Sequence, residues 1–488
     1  MNRARRAFLR NMAAGAGALA AQGLTGGDSV WAEFSTEKAS PSQRPNVLFI
    51  AVDDLRPQLG CYGHDFMISP NLDRLASQGM VFDRSFCQVP VCGASRASLL
   101  SGVRPTRSRF RTFNTWVDKD LPGAETLPEQ FKKNGYITVS NGKVYHHRTD
   151  DLDGWSEEPW RSNGDWVGRG YLSPENKEAA STWNKGVGPP FEKADVTDSD
   201  YPDGKIADKA LSDLKRLKEI GKPFFLAAGF KKPHLPFNAP SSYWELYDRE
   251  KIDLADNPFR PKDAPDASIH QWGELRKYVG MPKVGPMPED QSRTLVHGYY
   301  ACVSYVDAQI GRVLDGLERM GLADNTIVIL WGDHGWNLGE HGLWCKHCNF
   351  QTSLRAPLIV KAPGFVGGRH SQALVEFVDI YPSLCELCGL DLPEGLEGSS
   401  FVPLLKDPKR EWKKAIFSRW IAGDSVRTDR YLYTEWTDQQ GRCHDRMLYD
   451  HQVDPRENMN IADLPENKEL VEKLSGLLRT GWKPHQIA

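Results

Sequence analysis

Beyond its first forty residues the chain nowhere offers the about eighteen uninterrupted apolar residues that a membrane span needs, so stable insertion into a bilayer is not expected. Charge of one sign is missing too. Lys and Arg number 61 against 64 Asp and Glu, which excludes the cationic grip of a nucleic-acid binder. Neither a repeat nor a low-complexity tract interrupts the sequence, so it is not a solenoid or a disordered linker. What is present is ordinary: 26% charged and 40% hydrophobic residues over 488 positions, enough chain to bury a site completely.

The N-terminus departs from this composition. "MNRARRAFLRN" sets Arg5 and Arg6 before Phe8 and Leu9, followed by an Ala- and Gly-rich apolar run. The pattern resembles a twin-arginine export signal. Gly15, Gly17, Gly23, Gly26 and Gly27 would make a poor packed helix. Cleavage after Ala32 and a soluble protein exported to the periplasm or beyond are expected, already folded on export and open to modification or metal loading in the cytoplasm. Of nine cysteines, Cys345/Cys348 and Cys385/Cys388 have metal-like spacing, but nothing near either pair reads as a zinc ribbon. Cys385 and Cys388 fall among apolar residues of a helical pattern and are expected as buried small side chains.

Five short apolar runs end abruptly in polar residues: 46–54, 135–143, 223–234, 325–335 and 356–364. Runs without alternation are what strands buried on both faces look like. Between them lie helical patterns at 70–79, 126–135 and 293–320. This alternation predicts an α/β domain around a mostly parallel sheet. Two stretches, 148–205 and 250–292, show little periodicity and are expected as loops, with the tryptophans at 155, 160, 166, 183 and 272 as pocket walls. Beyond residue 407 short aromatic strands and a terminal helix from Glu466 to Trp482 predict a smaller antiparallel subdomain. The expected division is a signal over 1–32, a catalytic domain over 33–407 and a subdomain over 408–488.

Catalytic groups in such sheets gather beyond the carboxyl ends of the strands. There stand Asp53, Asp54, Lys143, His234, Asp333 and His334, each at or just past the end of an apolar run. Three carboxylates and an imidazole suit one divalent cation, Ca²⁺ or Mg²⁺ rather than zinc. Lys143 and Lys346 with His146 and His234 describe an anion pocket with acid–base groups, fit for cleaving a charged ester. In "CQVPVCGASRASLLSG" a loop turns into a helix at Cys92, where backbone N–H groups favour negative charge. A plain thiolate fits poorly there, since hard-metal surroundings call for an oxygen nucleophile.

"CGASRASLLSG" resembles the sulfatase signature, in which the cysteine is oxidised to formylglycine. "PNVLFIAVDDLRPQLGCYG", "SPNLDRLASQG", "NGYITVSNGKVYH", "GFKKPHLPF", "YYACVSYVDAQIGRVLDGLE" and "GDHGWNLGEHGLWCK" extend the likeness over most of the chain and point to the iduronate-2-sulfatase group. The resemblance implies an alkaline-phosphatase-like α/β fold with a C-terminal subdomain. It implies metal ligation by Asp53, Asp54, Asp333, His334 and the residue made from Cys92. Arg96 would hold that residue, Lys143 and Lys346 the sulfate oxygens. His234, also at the substrate, would protonate the leaving sugar oxygen after one hydroxyl of the aldehyde hydrate attacks sulfur. His146 would act as base when the second hydroxyl eliminates sulfate.

Ala94 stands where many members carry Pro, which leaves open which formylglycine-generating or sulfatase-maturing enzyme acts on the chain. A sulfated saccharide is the implied substrate, a 2-O-sulfated uronic acid one choice within it, with Arg104, Arg107, Arg109 and Arg111 as candidate contacts for its carboxylate. Two other readings stay open: a phosphate or phosphonate monoester hydrolase on the same scaffold, and a glycan-binding protein that uses the pocket without maturation.

Overall fold

The computed structural model describes residues 44–162, 167–182, 187–485 and 487. The expected export signal, Trp166 and Trp183 lie outside them. All five apolar runs are strands of one seven-stranded sheet. In chain order its strands are β1 (Asn46–Val52), β2 (Met80–Phe82), β3 (Ile137–Gly142), β4 (Phe224–Phe230), β5 (Thr326–Gly332), β6 (Leu358–Lys361) and β7 (Arg369–Ser371), arranged β7-β2-β6-β5-β1-β4-β3. Only β6 runs against its neighbours. β1 lies parallel between β4 and β5, with Val52 level with both Phe230 and Gly332.

Alternation along β1 sorts the core into two layers, the arithmetic of a strand covered on both faces. Leu48, Ile50 and Val52 face a cluster holding Leu72, Ile206 and Val303. Those residues come from α1 (Pro70–Gln78), α4 (Pro202–Ile220) and α5 (Glu289–Arg319). Val47, Phe49 and Ala51 face the other layer, with Leu99 and Phe131 from α2 (Cys92–Ser101) and α3 (Leu127–Lys133). At the start of α3, Thr126 and Glu129 form a reciprocal capping box. The 31 residues of α5 follow the long apolar stripe read at 293–320.

A four-stranded antiparallel sheet follows, β8 (Ala415–Trp420), β9 (Gly423–Thr428), β10 (Tyr431–Thr437) and β11 (Cys443–Asp450). α6 (Lys468–Thr480) closes one face through Val471 and Leu474. Two expectations need correction. Stretch 148–205 is not all loop, since it carries a helix at Pro174–Thr182, a strand at Phe191–Ala194 and the first turn of α4. Trp155 is no pocket wall: it is buried in the layer behind β4, its ring 6.4 Å from Phe225. Trp272 is buried as well, its indole N–H donating to the Gly342 carbonyl.

Arg104 also departs from its expected role as a substrate contact. Its guanidinium makes a two-pronged pair with the Glu376 carboxylate, both distances 2.5 Å. Lys413 joins them, 2.9 Å from Glu376 and 2.6 Å from Asp379. The Phe417 N–H of β8 donates to the same Glu376. This buried network fastens the C-terminal sheet to the loop after α2. Against burial, Arg104 and Lys413 hold the Glu376 carboxyl down to about 2. Arg104→Ala leaves that carboxylate buried without its main partner. We expect a loss of about 3–5 kcal/mol in denaturant unfolding, with turnover per folded molecule unchanged. Glu376 in the unfolded chain titrates near pH ~4.3. The wild-type advantage is therefore full above that range and fades as pH falls towards 2.

Candidate active site

The register of three parallel strands brings the predicted residues together. Asp53 follows β1 and Asp333 follows β5 at the same level, and the Asp54 N–H donates to Asp333 Oδ1 at 3.0 Å. Lys143 follows β3, its Nζ 2.5 Å from Asp53 Oδ2. Close approach of chains here requires glycine: a side chain on Gly229 of β4 would strike the Lys143 carbonyl. Asp54 adopts φ 61°, a turn that points its carboxylate inward and its carbonyl to the Tyr299 hydroxyl on α5, which donates at 2.8 Å.

Arg96, on the second turn of α2, is wholly buried and ties these ends together. Its Nε donates to Asp333 Oδ2 at 2.9 Å and its NH2 to Asp53 Oδ1 at 3.2 Å, while NH1 reaches the carbonyls of Lys143 and Val144. Lys346 stands on the far side of the pair, its Nζ 3.0 Å from Asp54 Oδ1 and over the buried Trp336 ring. Burial pushes the Asp54 carboxyl up to about 8, with Asp53 and Glu274 adding to the rise against His234 and Lys346. Asp53 goes the other way. Despite burial, Lys143, His234 and Arg96 hold it well below the usual carboxylate range.

Cys92 opens α2 as its first helical residue, after Val91 in extended geometry. Its Sγ lies 3.2 Å from His146 Nδ1. Burial, with Lys143 beside it, pushes the His146 imidazole down to about 3, so the ring is neutral. Cys92, Asp333 and His334 bring one ligand atom each within 4.8 Å of one another, and so do Asp53, Asp54 and His234. His334 Nδ1 lies 2.9 Å from the Gly335 carbonyl oxygen. Donation there leaves an Nε2 lone pair that is buried, has no hydrogen-bond partner, and stands 3.3 Å from Asp54 Oδ1 and 3.6 Å from Asp333 Oδ1. Lone pairs facing one another across so short a gap fit a cation between them.

One residue of the site escaped the sequence reading. Glu274, from the aperiodic stretch 250–292, places its carboxylate 3.1 Å from His234 Nε2 and 3.0 Å from Lys346 Nζ. Despite burial, Lys346 and His234 hold it well below the usual range. A lone Glu in a stretch without periodicity carries no signal that separates it from a surface residue. Cys345 and Cys348, beside Lys346, are free and buried, as are Cys385 and Cys388. Cys348 packs its Sγ 3.0 Å from the Ser353 hydroxyl.

Comparison with known proteins gives this geometry its place. A family model described as "Sulfatase" matches residues 45–390, and one described as "N-sulphoglucosamine sulphohydrolase, C-terminal" matches 339–482. The chain is 36% identical to iduronate 2-sulfatase of Mus musculus over 414 residues, 76% of this chain and 73% of that protein. A solved structure in complex with D-glucosamine-2-N,6-O-disulfate superposes with a TM-score of 0.74 at 23% identity, over 91% of this chain and 98% of that one. The phosphonate monoester hydrolase of Silicibacter pomeroyi does so at 0.72 and 22%, over 91% and 96%. At such identities the likeness is one of fold, and it agrees with the alkaline-phosphatase-like architecture expected from the sequence. With the family match over most of its length, the chain belongs to the sulfatases, in their iduronate-2-sulfatase-like group, and is a sulfuric ester hydrolase.

Proposed function

We propose that the protein hydrolyses sulfate esters of sulfated glycans, 2-O-sulfated uronic acids among them, using Cys92 oxidised to formylglycine as nucleophile beside a divalent cation. The observation that carries this reading is the seat of Cys92. It lies at the N-terminus of α2, 3.2 Å from a neutral His146, against the buried acidic cluster. Asp53, Asp54, Asp333, His334 and the residue made from Cys92 would hold the cation, Ca²⁺ ahead of Mg²⁺ because the donors are mostly hard oxygens. When bound, the cation neutralises the surplus of carboxylates and draws charge from the sulfate oxygens. The aldehyde hydrate supplies two hydroxyls on one carbon, one to take sulfur and one whose collapse frees sulfate.

The chain's own residues do the rest. Lys143 and Lys346, held by Asp53 and Asp54, face the sulfate oxygens as fixed positive charges. His234 turns its Nδ1 to the Leu235 carbonyl, 2.6 Å away, and its Nε2 towards Glu274 and the site. It would hold the proton for the leaving sugar oxygen, with Glu274 fixing the ring. His146 would take the proton from the hydroxyl that eliminates sulfate. Arg96 keeps Asp53 and Asp333 in place beneath them. Cys92 and its helix are buried, so the maturing enzyme would meet this segment before the fold closes. Twin-arginine export of the matured chain, and a boundary near residue 407 between catalytic domain and subdomain, belong to the same reading.

Intact-mass analysis of the peptide holding Cys92 from active protein should show a loss of about 18 Da; an unmodified peptide from active protein would remove the nucleophile. Cys92→Ala should abolish turnover while leaving the fold intact, read as an unchanged far-UV circular dichroism spectrum. His234→Ala should slow esters of poor leaving groups by about 10²–10⁴ and spare activated aryl sulfates; equal losses on both would contradict its role as acid. Stripping the protein with a chelator should lower both the melting temperature and activity, and added Ca²⁺ should restore both. A site filled at a hundredfold excess over its dissociation constant contributes about 2.7 kcal/mol. Rates on matched aryl sulfate and aryl phosphate separate this reading from a phosphate monoester hydrolase.

A further inference from the structure

Outside the pocket that holds Cys92, two separate segments form a rim. The first is the loop after α2. Gly93 packs against the backbone of Phe113, which fixes that loop over the helix start. Phe113 is 58% exposed, with its ring 6.0 Å from His146. The second is the turn between β8 and β9. Trp420, at the end of β8, lies 5.0 Å from the His347 ring, and His347 follows Lys346 directly. An exposed aromatic ring thus stands close to the Cys92–His146 pair, and a partly buried one, Trp420, lies against the residue that follows Lys346.

Cations share this rim. Arg419 pairs with Asp424 at 2.7 Å, and Arg107 from the first segment reaches the same carboxylate at 3.8 Å. Arg107 is further held by the Thr437 hydroxyl and the Asp438 carbonyl of the C-terminal sheet. Arg111 is exposed, with no ion pair among the described residues. Burial, with the like charges of Arg107 and Arg111 nearby, holds Arg419 below the ordinary arginine range despite Asp424. Asp424 thus meets two guanidinium groups, with Glu435 opposite it on β10 and Arg111 near Arg419, so three cations stand against two carboxylates and the surplus is positive. Rings that take the apolar face of a sugar, next to forked cations that take a carboxylate or sulfate, make a subsite for an anionic saccharide unit.

We propose that Trp420, Phe113, Arg107, Arg111 and Arg419 bind the sugar next to the one whose sulfate is cleaved, and select for an anionic group on it. This rests on the glycan-sulfatase reading above. The enzyme is thereby tuned to oligosaccharides with a charged neighbour over isolated sulfated monosaccharides. The shared chemistry is the anion, carboxylate or sulfate.

Trp420→Ala and Arg111→Ala test it, each in two backgrounds. In matured enzyme, kcat/KM on a sulfated disaccharide with a uronic acid as the neighbouring sugar should fall about tenfold or more. The same loss is expected when the neighbour carries sulfate instead. On an aryl sulfate, and on a disaccharide with a neutral neighbour for Arg111→Ala, rates should stay within about twofold. In the Cys92→Ala protein, which cannot turn over, the dissociation constant for the uronate disaccharide should rise by the same factor. If the charged disaccharides bind and react as in the parent, or if the aryl sulfate loses as much as they do, the subsite is overturned. Wild-type protein that leaves both aryl sulfate and disaccharides intact would instead overturn the catalytic reading, since the binding measurement does not depend on turnover.

Discussion

The site depends on one buried guanidinium. Arg96 sits beneath the pocket, away from solvent, and binds both Asp53 and Asp333 while closing on two carbonyls past β3. Without a cation at that point, two carboxylates on adjacent strands would face each other in a poorly screened interior. The ends of β1, β3 and β5 could not then stay level. Because Arg96 lies four residues after Cys92 on the same helix, one turn apart, the group that orders the carboxylates also places the nucleophile's position over them. The short spacing in "CGASR" is thus a geometric statement: one end of a helical turn reacts, the other holds the floor.

Much of this was legible because it is local. A strand that ends in Asp-Asp or Gly-Asp-His announces both its length and the direction its last side chains face, and a parallel sheet sends all such ends to one edge. Cys92, Lys143, Asp333 and His334 could be placed from a few residues of sequence around each. Glu274 could not, because what brings it to His234 and Lys346 is a loop path through 250–292 with no periodic pattern. Arg104 misled for a related reason. A basic residue in a loop after a helix looks like a ligand contact, and only the arrival of Glu376 and Lys413 from distant parts of the chain makes it structural. Trp155 shows the same limit, since an aromatic in an aperiodic stretch gives no sign of which layer will bury it.

The division of labour between pocket and rim follows from where each is anchored. The pocket grows from strand ends and one helix turn, all fixed by a core of two continuous layers. The rim is made of the loop after α2 and a hairpin turn of the C-terminal sheet, joined through Arg107, Asp424 and Thr437. Rigid elements suit chemistry that tolerates little displacement. Loops on a rigid base suit recognition that changes with the ligand.

Charge inside the pocket argues for an anionic substrate. Arg96, Lys143 and Lys346 supply three fixed positive charges against the carboxylates of Asp53, Asp54, Asp333 and Glu274. Burial with this acidic surplus is why Asp54 is pushed up to about 8. The proposed divalent ion, with His234 carrying the proton it would give to the leaving group and His146 neutral, turns that balance positive, so the pocket calls for an anion. A sulfate monoester brings one negative charge and a phosphate monoester at neutral pH nearly two, so both meet an attractive field and net charge does not choose between them. Fold alone does not separate these substrates, as the phosphonate monoester hydrolase neighbour shows. Glu274 adds the fourth carboxylate and faces both His234 and Lys346, so the residue least visible in the sequence steadies the proposed acid and one of the cations beside it.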